Sequence, residues 1–196
     1  MTSPSNKTPA TGIRHRKPRA GERTRGAVDA LQTKIAVGVQ NLDPTIYLDQ
    51  LQANIDELPE ATGADSAFIA LISDDGAKVD AVMVSCDGFA QCRPGVLMGE
   101  NLDDWPWLRQ RLGHLRVVEV ADTLGGPGAA KAELERLNEL HIGAALIIGF
   151  SVHGELAGFL GIVNERPVAG WAANLHLLMK LFGSSLAVGL ERVSDK

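Results

Sequence analysis

The strongest constraint on the fold is a pair of apolar runs joined by a two-residue turn. The runs span residues 144–152 and 155–163, and only His153-Gly154 connects them. Turns this short join neighbouring strands that run antiparallel. The sequence therefore excludes an all-parallel, doubly wound sheet and predicts a β-hairpin in the second half of the chain.

A second hairpin is expected earlier in the chain. The apolar run at residues 67–72 is followed by Ser73-Asp74-Asp75-Gly76, whose residue types are typical of turns, and residues 79–84 form the next run. A short helix is predicted from residue 105 to about 112, and a further strand at 117–120. Five short strands are therefore expected in all.

Helical periodicity surrounds these strands. Apolar residues recur at spacings of three and four over residues 27–42, 47–58 and 171–193, and a fourth helix is predicted over 129–140. Asp43-Pro44 is expected to begin the second helix, with Asp as N-cap and Pro at the first helical position. The order α-α-β-β-(α)-β-α-β-β-α predicts an α+β fold. In this fold the terminal helices cover one face of a central antiparallel sheet, and short helices and loops cover the other.

Charge divides the chain into two parts. Residues 1–26 hold seven Lys and Arg against one Glu, a net charge of +6, and the total of −5 leaves −11 for the remainder. We interpret residues 1–26 as a disordered basic tail, with a tether to nucleic acid or lipid as the alternative, and residues 27–196 as one domain. Because an acidic body repels phosphate backbones, nucleic acid is not expected as a partner of the fold itself.

The remaining composition favours a cytoplasmic protein. The chain has two cysteines, too few for a secreted disulfide scaffold. No apolar run approaches the roughly 20 residues that span a bilayer, and the N-terminal residues lack the apolar core of a signal peptide. No membrane association is expected.

Four segments, in their order along the chain, carry a recognisable pattern: residues 63–68 at the entry to the first strand, 140–146, the hairpin 150–161, and 187–192 in the last helix. Together they resemble the GAF domain family, small sensory modules related to PAS domains. Leu-His-Ile-Gly-Ala-Ala-Leu at 140–146 is loosely similar to the family's Leu-x-x-Gly-Ile-x-Ser segment. The resemblance covers about residues 42–193 and is closest to GAF modules that precede diguanylate cyclase and histidine kinase output domains.

This resemblance implies a small-molecule pocket between the sheet and the short internal helices, and a homodimer through the first and last helices. The residues expected at the ligand are Phe68, Trp105, Trp107, Leu108, Val118, Leu124, Leu137 and His141. The residues expected at the dimer interface are Val28, Leu31, Ile35, Leu178, Phe182 and Leu186. Since this sequence ends at Lys196 without an output domain, we expect the protein either to act alone or to have its output partner in another chain. The ligand and any cofactor remain unknown at this point.

Several of these residues also have a plainer interpretation. Trp105 and Trp107, on either side of Pro106, fit a wall or lid over a ligand, but equally a hydrophobic anchor for the short helix. His141 fits an axial haem ligand, but equally an ordinary residue at a helix end. Four of the five histidines lie beyond the basic tail and do not have the spacing of a zinc or iron site; they are His114, His141, His153 and His176.

Other ligands and an enzymatic function have less support. Bilin attachment in the family usually needs a Cys-His pair, whereas Asp87 follows Cys86. The glycines at 125–128 lack the Lys-Ser/Thr of a phosphate-binding loop, and the family's cyclic-nucleotide motif is not found. One stand-alone GAF branch, the free methionine sulfoxide reductases, does redox chemistry with cysteines, but residues 122–124 hold no cysteine where that branch has its catalytic one. We expect a ligand sensor without catalytic residues or metal. The alternatives are an interaction module with a filled pocket, or a thiol-dependent reductase acting through Cys86 or Cys92.

Overall fold

The computed structural model describes residues 25–86 and 97–195, and all structural statements below concern these residues. Within them lie six α-helices and two short 3₁₀ turns, at Leu102–Asp104 and Gly128–Ala130. The helices are α1 (Arg25–Gln40), α2 (Tyr47–Ile55), α3 (Leu58–Thr62), α4 (Pro106–Gly113), α5 (Lys131–Glu139) and α6 (Ala173–Ser194).

Five strands form one sheet in the order β2-β1-β5-β4-β3. They are β1 (Ser66–Ile72), β2 (Val79–Cys86), β3 (Val118–Val120), β4 (Ala144–Val152) and β5 (Glu155–Asn164). Every neighbouring pair is antiparallel. Two hairpins, β1–β2 and β4–β5, are thus joined edge to edge, as their short turns require.

The β4–β5 turn has the backbone that the sequence predicts. His153 has φ 52° and Gly154 has φ 87°, so both central residues lie in the left-handed region. Two-residue turns of this type match the right-handed twist of the strands they join. The turn fixes the register of the hairpin, with Val152 opposite Glu155.

The β1–β2 turn is held by the Asp75 carboxylate. Its Oδ1 accepts hydrogen bonds from the Ser73 hydroxyl (2.6 Å) and the Ala77 amide (3.0 Å). These bonds lower the pKa of Asp75, the Ser73 bond having the larger effect. Gly76, with φ 70°, completes the turn.

Both faces of the sheet are buried, because successive residues of a strand point to opposite faces and β4 and β5 each contain a run of successive buried residues. On β4, Leu146 and Ile148 join the core formed with α1, α2, α3 and α6, while Ala145 and Ile147 join the core formed with α4 and α5. On β5, Leu160 joins the first of these cores and Phe159 joins the second. The α+β architecture predicted from the sequence is confirmed, with the terminal helices α1 and α6 on one face, together with α2 and α3, and the short helices α4 and α5 on the other.

The boundaries of the second helix differ from the prediction. Asp43 and Pro44 lie in a turn in which Asp43 Oδ1 accepts the Thr45 amide at 2.9 Å, and α2 begins only at Tyr47. Pro59 is expected to kink or end this helix, and the structure does break there: α2 ends at Ile55 and α3 begins at Leu58, with the proline in its first turn. The Asp-Pro pattern is shared by helix starts and turns, and local sequence does not distinguish them here.

The last helix packs into the core along most of its length. Nine residues of α6 are buried, and its Gly189 lies against the carbonyl of Val39 in α1. Of the helices that the structure describes, α6 is the one whose length and composition suit a membrane span, but half of that stretch is buried inside the fold. Such burial is what the core helix of a folded domain shows.

Candidate ligand-binding cavity

A cavity lies between the sheet and the short helices α4 and α5. Its volume is about 70 Å³, with room for about five water molecules. Its walls are almost entirely apolar. The sheet contributes Phe68, Val82, Ala145, Ile147 and Phe159, and the covering segments contribute Leu97, Leu102, Trp105, Leu108, Leu137 and Ile142.

A glycine on β5 gives the Phe68 ring its place in the wall. Gly161 pairs with Phe68 across the β1–β5 ladder, and a Cβ on Gly161 would lie 2.5 Å from Phe68 Cε1. The ring packs edge-on against Phe159, with ring centroids 5.9 Å apart at 81°. Any larger residue at position 161 would push the Phe68 ring from this position.

A charged cluster lies at one side of the cavity, formed by Glu100, Trp105 and Arg136. Glu100 Oε2 accepts a hydrogen bond from Trp105 Nε1 at 3.0 Å and pairs with the Arg136 guanidinium. That guanidinium also stacks over the Trp105 ring, 4.6 Å from its centroid. Glu100 and Trp105 line the cavity, whereas Arg136 lies outside the lining. The three side chains therefore join the loop before α4 to α5.

The cluster is held on fixed backbone. The Val79 amide donates to the Glu100 carbonyl at 3.0 Å, and the Gly99 amide donates to the Val79 carbonyl at 2.8 Å. A bridge between Lys78 and Asn101 continues this pairing. Glu100 is thus tied to the edge strand β2, and its side chain points from the sheet edge toward α5.

A second, buried carboxylate joins α4 to α5. Glu133 on α5 is 6% exposed, and its two oxygens accept the backbone amides of Trp107 (2.7 Å) and Leu108 (2.9 Å). These are the second and third residues of α4, whose N-cap residue Trp105 makes no side-chain cap. Glu133 therefore caps α4 from another helix, where its negative charge also favours the helix dipole.

Comparison with known proteins identifies the fold. No family model and no curated protein sequence matches this chain. A phycoerythrobilin-bound GAF domain from a cyanobacterial phytochrome has a TM-score of 0.68 at 17% identity, over 87% of this chain and 98% of its own. A phycocyanobilin-bound GAF domain from a cyanobacterial phytochrome has a TM-score of 0.68 at 19% identity, over 85% of this chain and 94% of its own. This chain has the fold of a GAF domain.

A third GAF structure extends the agreement. The GAF domain of Thermosynechococcus elongatus PixJ, in its blue-light-absorbing form, has a TM-score of 0.57 at 19% identity, over 76% of this chain and 89% of its own. The GAF fold expected from the four sequence segments is therefore confirmed.

The structure brings four of the eight residues expected at the ligand to the wall of the GAF cavity. They are Phe68, Trp105, Leu108 and Leu137. All four are buried, with exposed fractions of 4–8%. Their positions fit the expectation, and their role in binding stays a prediction.

The other four residues do not line the cavity. Val118 is buried in the same core, but Leu124 is 76% exposed and His141 lies on the surface with φ 59°. Trp107 packs beside the core, with the Arg111 guanidinium 4.8 Å from its ring centroid. For Trp107 the anchor interpretation therefore fits its surroundings better than that of a pocket wall.

The residues expected at the dimer interface need correction. Leu31, Ile35, Leu178, Phe182 and Leu186 are at most 5% exposed, and all belong to the core of the single chain. Their stripes face the sheet and one another, so they are not available to a second copy. The side chain of Val28 lies outside the described residues.

The histidines and cysteines form no metal site in the described part of the chain. No group of three His, Cys, Asp or Glu residues there is placed to hold a metal ion. His176 Nε2 lies 3.2 Å from Glu119 Oε2, and His153 Nε2 lies 3.6 Å from Asp195 Oδ1. Cys92 and the side chain of Cys86 lie outside the described residues.

Sequence reasoning missed the two glutamates that organise the site. Glu100 and Arg136 are 36 positions apart, and Glu133 reaches α4 across 26 positions. Neither contact has a local signature, because charged residues on helices and loops are usually solvated. One clue was the absence of a side-chain N-cap before Pro106, since the free amides of α4 need an acceptor.

Proposed function

We propose that this GAF domain is a sensory module that binds a small apolar molecule in its cavity and transmits the bound state through its terminal helices. The observation that carries the proposal is the cavity itself. It is apolar, it lies between the sheet and two short helices, and one charged cluster marks its side. Apolar pockets with a few fixed polar groups are typical of small-molecule sites.

The bilins of the similar structures do not fit the described cavity. A bilin has four pyrrole-type rings and two propionates, far more than a volume of about 70 Å³ accommodates. Propionates need cationic partners, and the described residues of the lining include no Lys, Arg or His. The proposed ligand is therefore a smaller and less charged molecule.

The sheet offers a route from the cavity to α6. Ile147 lines the cavity, and the next residue, Ile148, packs with α6 on the opposite face of β4. A ligand that moves this strand therefore changes the packing surface of α6. If it prefers one arrangement of the helices by about 1.4 kcal/mol, the population of that arrangement rises about tenfold.

The cavity is tested by filling it. We expect Ala145→Val, which adds two methyl groups to the wall, to abolish ligand binding. Ala70→Val is the matched control, because Ala70 is equally buried in the same core but does not line the cavity. Native mass spectrometry of protein purified from its source organism should show a bound mass on the wild type and on Ala70→Val, and none on Ala145→Val. The same adduct on all three would place the ligand elsewhere.

We further propose that the protein forms a homodimer through the outer face of α6. Leu177, Leu181 and Val188 lie on this face at helical spacing and are 53%, 45% and 38% exposed. They replace the buried stripe as candidates for the interface. A signalling output protein in another chain and a cytoplasmic location complete the proposal.

The dimer is tested by charging this face. We expect Leu181→Lys to convert the dimer to a monomer at micromolar concentration with little change in thermal stability, because the side chain is exposed. Leu124→Lys introduces the same charge at an exposed leucine away from α6 and should leave the dimer intact. Sedimentation velocity measures both. A wild type that sediments as a monomer, or an unchanged Leu181→Lys dimer, contradicts the interface.

An interaction module without a ligand is the second candidate, and the small volume of the cavity favours it. In that case the apolar walls serve only as core, and Ala145→Val changes stability without changing any bound mass.

A further inference from the structure

Few polar side chains line the cavity, and they differ in which of their atoms have hydrogen-bond partners among the described residues. Among the described lining residues, Ser66 and Glu100 are the two with a polar aliphatic side chain. The Ser66 hydroxyl donates to the Ser85 carbonyl at 2.8 Å. Glu100 uses Oε2 for both Trp105 and Arg136, and Oε1 accepts no hydrogen bond from the described residues. Because 23% of the Glu100 side chain is exposed, Oε1 is open to solvent and can accept a hydrogen bond from a ligand.

We propose that the ligand of this cavity carries one polar head group that donates hydrogen bonds, such as an amine or hydroxyl group, at the end of a short apolar body, and that Glu100 Oε1 accepts a hydrogen bond from this head group. The inference rests on the proposed function, since it assigns the chemistry of the same cavity. An ammonium group gains most, because hydrogen bonds between charged partners are stronger than neutral ones. A carboxylate is rejected, because it enters an apolar wall beside a like charge.

Arg136 acts as a positioning residue. It lies outside the lining, but its guanidinium pairs with Glu100 Oε2 and stacks on the Trp105 ring. The pair orients the carboxylate and offsets part of its charge. Removing Arg136 leaves the carboxylate with more uncompensated charge, which increases the preference for a cationic head group over a neutral one.

Four-carbon probes suit the size of the cavity and differ only in their head groups. We would titrate the full chain with butylamine, 1-butanol and butyrate, and measure each dissociation constant by saturation-transfer NMR. Butylamine is expected to bind about tenfold more tightly than butyrate, with 1-butanol between them. Glu100→Gln should reduce the ratio of amine to butyrate affinity to about one while 1-butanol still binds.

Two further variants separate the head-group chemistry from the fold. Arg136→Gln should enlarge the preference for the amine over 1-butanol, and Glu139→Gln, which changes an exposed acid on the same helix, should leave it unchanged. Thermal melts establish whether each variant is folded. If Glu100→Gln does not fold, the order of the three probe affinities in the wild type still tests the proposal.

These experiments distinguish a failure of this inference from a failure of the proposed function. Equal binding of butyrate and butylamine to the wild type, or an unchanged preference in folded Glu100→Gln, overturns the role of Glu100 and leaves the cavity as a binding site. Absence of binding by all three probes, or binding that Ala145→Val does not reduce, overturns the proposed function itself.

Discussion

Glu133→Ala is expected to destabilise the protein by about 3 kcal/mol. The substitution removes the acceptor of two backbone amides, and the Leu108 amide is then buried without a partner. Glu133→Gln should lose roughly half as much, since an amide side chain has one acceptor oxygen where the carboxylate has two. Chemical denaturation measures the free energy of unfolding of each variant.

The matched control lies two positions along α5. Glu135 is exposed and pairs with Lys131 at 3.8 Å, so Glu135→Ala should change the free energy of unfolding by no more than about 0.5 kcal/mol. Equal effects of Glu133→Ala and Glu135→Ala would show that Glu133 does not hold α4. Because α4 forms one wall of the cavity, Glu133→Ala should also weaken ligand binding.

Gly189→Ala is expected to cost about 3 kcal/mol, because it separates α6 from α1. A Cβ on Gly189 would lie 2.1 Å from the Val39 carbonyl oxygen, which is backbone and cannot rotate away. The two helices must move apart until the added Cβ and the Val39 oxygen reach an ordinary van der Waals distance. For a chain of this length, such a loss lowers the melting temperature by about 6–12 °C.

Gly183→Ala on the same helix provides the control. Its Cβ would meet its nearest neighbour, Leu160 Cδ2, at 3.5 Å, an ordinary contact. Alanine stabilises a helix interior relative to glycine by up to about 1 kcal/mol, so Gly183→Ala should be neutral or stabilising. If both variants melt together with the wild type, α1 and α6 are not packed as closely as the structure has them.

The sequence predicted the elements of this fold well where their signals are local. The turn at His153-Gly154 required only two residues with positive φ. The apolar runs on either side of this turn were enough to identify β4 and β5 as a hairpin. The second helix began three residues later than predicted, because Asp43 forms a turn whose residues are also those of a helix start.

The apolar stripes predicted which residues are buried, but not which surface they pack against. Leu178 and Leu177 are neighbours in sequence, yet one is 1% and the other 53% exposed. The stripe of Leu178 and Phe182 faces the chain's own sheet, and the sequence offered a second copy as an equally good partner. Only the packing of α6 against β4 distinguishes the two.

The cavity was predicted in part. Phe68 on strand β1 and Leu108 on the covering helix α4 were found because they are large apolar residues in segments where the GAF resemblance implies a pocket. Glu100, which supplies the charge of the cavity, was not found, because its contact with Arg136 is formed only when the chain folds. Contacts between distant polar residues leave no periodic pattern, so the chemistry of the site came from the structure.

The most direct test of the proposed sensor is a titration of methyl-labelled protein with butylamine, followed in methyl NMR spectra. The cavity residues Leu108, Leu137 and Ile147 lie on one face of the sheet, and Leu51 and Ile55 of α2 lie in the core on the other. The account predicts saturable shifts of the first group in the wild type, their loss in Ala145→Val, and little change in Leu51 or Ile55. Absence of saturable shifts in the first group, or shifts centred on α2, would contradict it.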